Sequence, residues 1–219
     1  MKTKYRELIL QNIHSYIDDL NREDFSHDSS HIFRVENLAK KIAEQENADI
    51  EIIEASCLLF DIARGLEDKG EVEDHAQKAV EIAQDILPRI NFPDKKIEAV
   101  CHTIISHRRS KDRTPETIEA KILRDADYLD AMGATTIARI FASTFQSKKY
   151  ARPVYVDEPY DEKTAEYKSA IHFLLYLTKH PKHQPDSFFT KEGKRMAAER
   201  AVIMKEFAET FIAEWHGDK

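Results

Sequence analysis

Hydrophobic residues recur along this chain at intervals of three and four, and the positions between them are far more often charged than glycine or proline. Over residues 4–20, Leu8, Ile9, Ile13 and Ile17 return near the helical period with charges on the other side, which predicts an opening helix. A polar break over 21–30 leads to a second helix, in which His31, Val35, Leu38, Ala39 and Ile42 share a face and which ends near Glu46-Asn47. Asp49 suits the N-cap of a third, 50–63, whose run from Ala55 to Phe60 is apolar almost all round and therefore central. After a charged loop bracketed by Gly65 and Gly70, Ala76, Ala79, Val80, Ala83, Ile86 and Leu87 mark a fourth helix with His75 at its start and Pro88 as its stop. Pro93 opens a fifth through about His107, and Thr114-Pro115-Glu116 reads as N-cap, N1 proline and first-turn acid of a sixth. Residues 118–145 are mostly helical with a bend near Gly133, 150–160 form a long loop, and two helices over about 162–179 and 191–215 close the chain. No repeat or linker divides the pattern, so it predicts one all-α domain over 1–219.

Composition agrees. Only 5 Gly and 7 Pro in 219 residues leave few punctuators for the turns of a β fold, and a chain of this length buries roughly 70% of its unfolded surface without disulfides or structural metal. With 33 Lys+Arg against 40 Asp+Glu, the net charge of −7 has the wrong sign for a general phosphate-backbone binder and disfavours nucleic acid as the main partner. Cys57 and Cys101 lie inside apolar helical patterns without ligand-like spacing and read as small buried thiols. Charges interrupt the N-terminal stretch where a secretory signal needs an apolar core, and no apolar run approaches the 18 or so residues of a membrane span, which points to a soluble cytoplasmic protein.

Two carboxylates break the pattern. Asp61 follows a mostly apolar run and shares a face with Cys57 and Leu58, and Asp127 sits one turn after Leu123. Burying an unpaired charge costs several kcal/mol, so a cation belongs beside each, whether Arg64, Arg124 or Arg139 in a salt bridge or a metal ion. A lone core histidine is more often hydrogen-bonded than ligating, but His31 adds a third such residue on a third helix. Carboxylates plus imidazole with open positions suit Mg²⁺, Mn²⁺ or Fe²⁺.

At these residues the chain resembles the HD-domain superfamily of metal-dependent phosphohydrolases: His31-Ile32-Phe33-Arg34-Val35, then Leu58-Leu59-Phe60-Asp61-Ile62-Ala63-Arg64, then Asp125-Ala126-Asp127-Tyr128-Leu129-Asp130-Ala131-Met132-Gly133-Ala134. Asp74-His75-Ala76, the helix end from Ile104 to His107, Ile137-Ala138-Arg139 and the order Thr190, Arg200, Met204, Phe207, Glu214 resemble one small, single-domain branch, so the likeness covers nearly the whole chain. It implies an all-α helical bundle with its metal-site core over about 25–145, C-terminal helices over about 162–216, and a metal held by a first histidine, a histidine-aspartate pair and a later aspartate. Position by position these are His31, residues 60 and 61, and Asp127. Residue 60 departs from the pattern, being Phe60 where the family has its defining histidine.

Phenylalanine is close to histidine in size but offers no lone pair, so the helix can pack as before with ligation weakened. Three outcomes follow: His31, Asp61 and Asp127 still hold the ion with water in the vacant position; His75 or His102 substitutes as a ligand; or the pocket binds its ligand without turning it over. The resemblance implies a phosphohydrolase of a small phosphate ester or nucleotide, its divalent ion lowering the pKa of bound water, with Asp61, Asp127 and Arg64 catalytic and Arg64, His75 and His102 around the phosphate or a second metal. The rival is a degenerate HD domain that binds a nucleotide or partner as a sensor. Asp125 is the fallback for the last ligand, Asp130 and Arg34 read as pairing residues, His107 is a further candidate, and the basic run Arg108, Arg109, Lys111, Arg113 is solvated surface or a steering patch.

Overall fold

The computed structural model describes residues 3–20, 29–108, 111, 113–146, 148, 150–158 and 167–219. Its elements are α1 (Tyr5–Asp19), α2 (Ser29–Glu46), α3 (Ile50–Leu59), the short α4 (Arg64–Asp68), α5 (His75–Arg89), α6 (Asp94–Ser106), α7 (Ile118–Asp130), α8 (Ala134–Gln146), α9 (Ala170–Lys179) and α10 (Lys191–His216), with 3-10 turns at Pro181–His183 and Pro185–Ser187. The described chain is all-α.

The layering follows the hydrophobic pattern. Helix α3, apolar on nearly every side, is packed by α1, α2, α5, α6 and α7, and its Ile53, Cys57, Leu58 and Leu59 have no exposure. Helices α2 and α7 lie side by side and α5 pairs with α6, while α10 crosses α2, α7, α8 and α9. Short polar residues satisfy the helix starts as their chemistry requires: Asp49 accepts from the amides of Glu51 and Ile52, Asp74 from Ala76, and Ser169 from His172. Both cysteines are thiols, Cys57 buried and Cys101 half-buried. Among the described residues, no helix is long and apolar enough to cross a membrane.

Several boundaries differ from those predicted. Helix α3 stops at Leu59, and residues 60–63 form a tighter turn in which the Arg64 amide reaches only three residues back, to the Asp61 carbonyl, at 2.9 Å. The segment expected to be a loop then winds into α4. Pro88 lies within the last turn of α5 rather than beyond it; it offers no amide to the carbonyl four residues back, and the helix ends one residue later. The N-cap of α7 is Thr117, whose hydroxyl accepts from the Ala120 amide, and not Thr114. Residues 167–169 are not helical, so α9 begins at Ala170; residues 159–166 and most of the predicted break at 21–30 lie outside the described residues. The bend at Gly133 is a full break, with φ +85°. A Cβ there would stand 3.1 Å from Cγ of Arg200, whose guanidinium donates to the Leu129 and Met132 carbonyls at the end of α7.

Candidate metal centre

The turn after α3 carries Asp61 into the space between α2, α5 and α6, where it is 4% exposed. Among the described residues its ion-pair partners are imidazoles, and Arg64, Arg124 and Arg139 go elsewhere. Oδ1 lies 3.0 Å from His75 Nε2 and 3.6 Å from His107 Nε2, and Oδ2 lies 3.6 Å from His31 Nε2. The two inner imidazoles also face one another, Nε2 to Nε2, at 3.2 Å.

Each ring is oriented through its other nitrogen. His31 Nδ1 is 2.9 Å from Asp130 Oδ2, His75 Nδ1 is 2.7 Å from Glu67 Oε2, and His107 Nδ1 is 2.6 Å from the Ile104 carbonyl. All three partners only accept: the carbonyl by its nature, the carboxylates because Arg108 binds Glu67 while Arg34 and Arg139 bind Asp130. Nδ1 of each ring therefore carries a proton, and the three Nε2 atoms are turned toward Asp61. Burial opposes charge on Asp61, but the His107 and His75 imidazoles hold its carboxyl well below the usual carboxylate range. Burial likewise depresses His31, yet its hydrogen bonds to Asp127 and Asp130 and the Asp127 and Asp61 charges push its imidazole up to about 10.

Asp127 stands one step outward on α7, its side chain 26% exposed and its Oδ1 3.4 Å from His31 Nε2. Asp127 and His31 line a cavity of about 330 Å³ with Tyr128, Asp130, Thr136, Arg139 and Phe173 among its walls. Ile140, Ser143 and Phe173 also wall a second cavity of about 440 Å³, where Thr144, Tyr150, Arg152 and Tyr167 complete the lining. Phe60 is wholly buried, its ring centroid 5.7 Å from that of His31 and 5.0 Å from that of His107.

His31, Asp61, Asp127 and His75 thus come together, and His107 joins them where His102 was expected. His102 points away, its Nε2 accepting the Glu116 amide at 3.2 Å. Arg64 Nε lies 3.7 Å from Asp68 Oδ1, and its guanidinium is absent from the walls of the two cavities described. Asp125, the fallback ligand, is a capping residue: its carboxylate takes the amides of Phe189 and Thr190 and the Thr190 hydroxyl at the start of α10. Arg108 and Arg113 of the basic run turn inward onto Glu67 and Asp74, so they do not form a solvated face; Arg109 lies outside the described residues. Asp130, read from the chain as a pairing residue, pairs with Arg34 and Arg139 and orients His31, whereas Glu67, a glutamate in the charged 65–70 stretch that orients His75, carries no pattern that the chain alone makes visible.

The donor set fits a divalent cation. Among the described residues, Asp61, His75 and His107 form a buried group whose ligand atoms all lie within 4.8 Å of one another, as do Glu67, Asp74 and His75. His31, Asp61 and Asp127 do not close to that limit.

The HD domain family matches residues 29–132, which span α2 to the end of α7 and every residue of this cluster. Bacillus subtilis YpgQ is 32% identical over 193 residues, 86% of this chain and 84% of that protein. The chain belongs to the HD-domain superfamily. Among solved structures, a predicted HD superfamily hydrolase from an uncultured Thermotogales bacterium superposes with a TM-score of 0.70 at 29% identity, covering 96% of this chain and 93% of that one. The crystal structure of Bacillus subtilis YpgQ in complex with ADP superposes with a TM-score of 0.67 at 25% identity, covering 94% and 97%. Divalent-metal binding is general to HD domains, and the cluster around Asp61 brings together residues that could hold such an ion.

Proposed function

We propose that this HD domain is a divalent-metal-dependent phosphohydrolase of a small phosphate ester or nucleotide, acting in the cytoplasm. The observation that carries the reading is the convergence of three oriented imidazoles on the buried Asp61 carboxylate directly behind a cavity that Asp127 and His31 line. When bound, the ion supplies a positive charge for phosphoryl oxygens and acidifies water.

The chain's own groups divide the remaining work. Asp127, partly exposed and beside His31 Nε2, faces the cavity with an oxygen that can accept the proton of an attacking water. Arg139 stands in the same wall, its guanidinium fixed on Asp130 Oδ2 and on the Thr136 hydroxyl, where its charge attracts a phosphate. The two adjoining cavities are sized for a ligand longer than phosphate, with Phe173 as an aromatic wall common to both. That a YpgQ structure contains ADP supports a nucleotide.

Phosphate release from ADP and from p-nitrophenyl phosphate, measured with Mn²⁺ against chelator, tests the reading. Turnover that needs the metal and falls at least about a hundredfold in Asp127→Asn, the low end for loss of a general base, is the expected result. Phe60 favours the second reading, a binding domain without turnover, and saturable ADP binding with no phosphate released under any metal would establish it.

A further inference from the structure

Arg152 lines the second cavity, whose described walls carry no carboxylate. We infer that this guanidinium selects the base of the nucleotide, favouring a purine with a carbonyl at C6, guanine or hypoxanthine, over adenine. The inference rests on the nucleotide reading above and adds the base to it.

The guanidinium is held but not satisfied. Nε donates to the Tyr150 carbonyl at 3.2 Å, and the guanidinium carbon lies over the Phe173 ring, 5.5 Å from its centroid. Nη1 is shielded from water and has no acceptor among the described residues. A buried donor left without an acceptor is costly, so a ligand that brings acceptors to this wall gains more here than at a solvated arginine.

The hydroxyls in the same lining are set the opposite way. Ser143 Oγ and Thr144 Oγ1 both donate to the Ile140 carbonyl, at 3.0 and 2.8 Å. Each has then spent its one hydrogen, and what either can offer a ligand is lone pairs. The cavity thus combines donors from one side chain, acceptors from two, and aromatic surface from Tyr150, Tyr167 and Phe173.

A phosphate group suits this lining poorly, because its oxygens only accept and would meet the hydroxyl lone pairs. A base suits it, and since every base presents a flat face to aromatic rings, the polar edges decide. Guanine and hypoxanthine set O6 beside N7, two acceptors for the fork of an arginine, and carry N1–H next to them for a hydroxyl oxygen. Adenine has its N6 amine, a donor, where O6 would be, and its N1 is a bare acceptor. It would bring donor to donor at Arg152 and lone pair to lone pair at the hydroxyls. A cavity of about 440 Å³ has room for either purine, so hydrogen bonding rather than size makes the choice.

Binding of GDP, IDP and ADP to the full chain, followed by titration calorimetry in chelator and with Mn²⁺, tests the assignment beside Arg152→Gln, with circular dichroism to verify folding. GDP and IDP should bind at least about fivefold more tightly than ADP, the low end for reading one base edge, and should keep that lead in kcat/KM where phosphate is released. The glutamine amide carries one donor and one acceptor, the set that fits adenine N6 and N7, so the GDP-to-ADP affinity ratio should fall at least about fivefold in Arg152→Gln. ADP bound as tightly as GDP by the wild type, or a ratio unchanged in the variant, would overturn the inference. So would equal weakening of all three ligands, which would put Arg152 on phosphate or ribose. Binding of none of the three under either condition would sink the nucleotide reading and the base choice together, whereas equal binding of all three would sink the base choice alone. Selective binding without phosphate release would end the phosphohydrolase reading and leave the role of Arg152 standing.

Discussion

Asp130 Oδ2 receives the Nδ1 hydrogen of His31 at 2.9 Å, and the same carboxylate takes Nε of Arg34 at 2.8 Å and Nη1 of Arg139 at 2.6 Å. One side chain at the end of α7 therefore fixes the tautomer of the cavity-facing imidazole and the position of the cationic wall opposite it. Replacing it by alanine strands two guanidiniums and an imidazole. Asp130→Ala should lose about 3–5 kcal/mol in urea unfolding, the cost of breaking a buried ionic network from one side. A loss below 1 kcal/mol would show that water satisfies these groups.

Glu67 and Asp74 should contribute to acid stability alongside the buried Asp61 and Asp130. Burial alone would raise both, but the His75 amide and Arg108 on Glu67, and Arg108 with Arg113 on Asp74, bring each down to about 2. A carboxyl whose pKa falls on folding stabilises fully above its ordinary value, here 4.5 and 3.8, and contributes less as pH drops toward the folded value. The unfolding free energy should therefore decline as pH is lowered from 4.5 to about 2. Asp74→Asn should flatten that slope, and a slope unchanged in this variant would remove Asp74 from the account.

The helices and the carboxylates that interrupt them were legible in the chain because period and burial penalty are local properties. Which of two polar residues on one helix faces the site was not. His102 and His107 are five positions apart, as are Asp125 and Asp130, which turns each pair about 140° around the helix axis. Periodicity places one of each pair off the site, but only the packing of α5 and α10 decides which. His107 meets His75, while Asp125 caps α10. The early stop of α3 is similar: its apolar run continues to Ala63, and the three-residue turn at Asp61 is seen only once the chain is folded.

Asp125 explains why residue 193 is glycine. A Cβ at Gly193 would lie 2.5 Å from Asp125 Oδ2 and 2.7 Å from the Thr190 hydroxyl, the two groups that hold the first turn of α10 against α7. Gly193→Ala gains helix propensity but must push this buried carboxylate off its three donors. Overpacking outweighs propensity here, and a net loss of about 1–3 kcal/mol is expected by thermal or urea unfolding. A variant as stable as the wild type would mean that α10 can shift outward without cost.

Phe60→His puts an imidazole between the rings of His31 and His107. Without metal the new ring is a buried polar group among like groups, and the fold should lose about 1–3 kcal/mol. Metal reverses the sign, since any ion bound only by the folded chain adds stability that grows with its concentration. The rise in melting temperature from chelator to excess Mn²⁺ should be larger in Phe60→His than in the wild type. An equal rise in both would place residue 60 away from the ion.

The last expectation concerns ligand length. Phe173 stands in the wall shared by the two cavities, with Arg152 stacked 5.5 Å from its centroid and Tyr167 edge-on at 5.0 Å. A nucleotide entering from Asp127 is long enough to run past this ring toward the second cavity and meet it as a flat apolar face, whereas the shorter p-nitrophenyl ester need only fill the first. Phe173→Ala should therefore raise KM for ADP by about tenfold, the equivalent of roughly 1.4 kcal/mol of lost contact, while KM for p-nitrophenyl phosphate and both kcat values change little. Equal losses on the two substrates would mean that Phe173 supports the wall rather than the ligand. Loss of kcat alone would locate its effect at Asp127, which lines the same cavity.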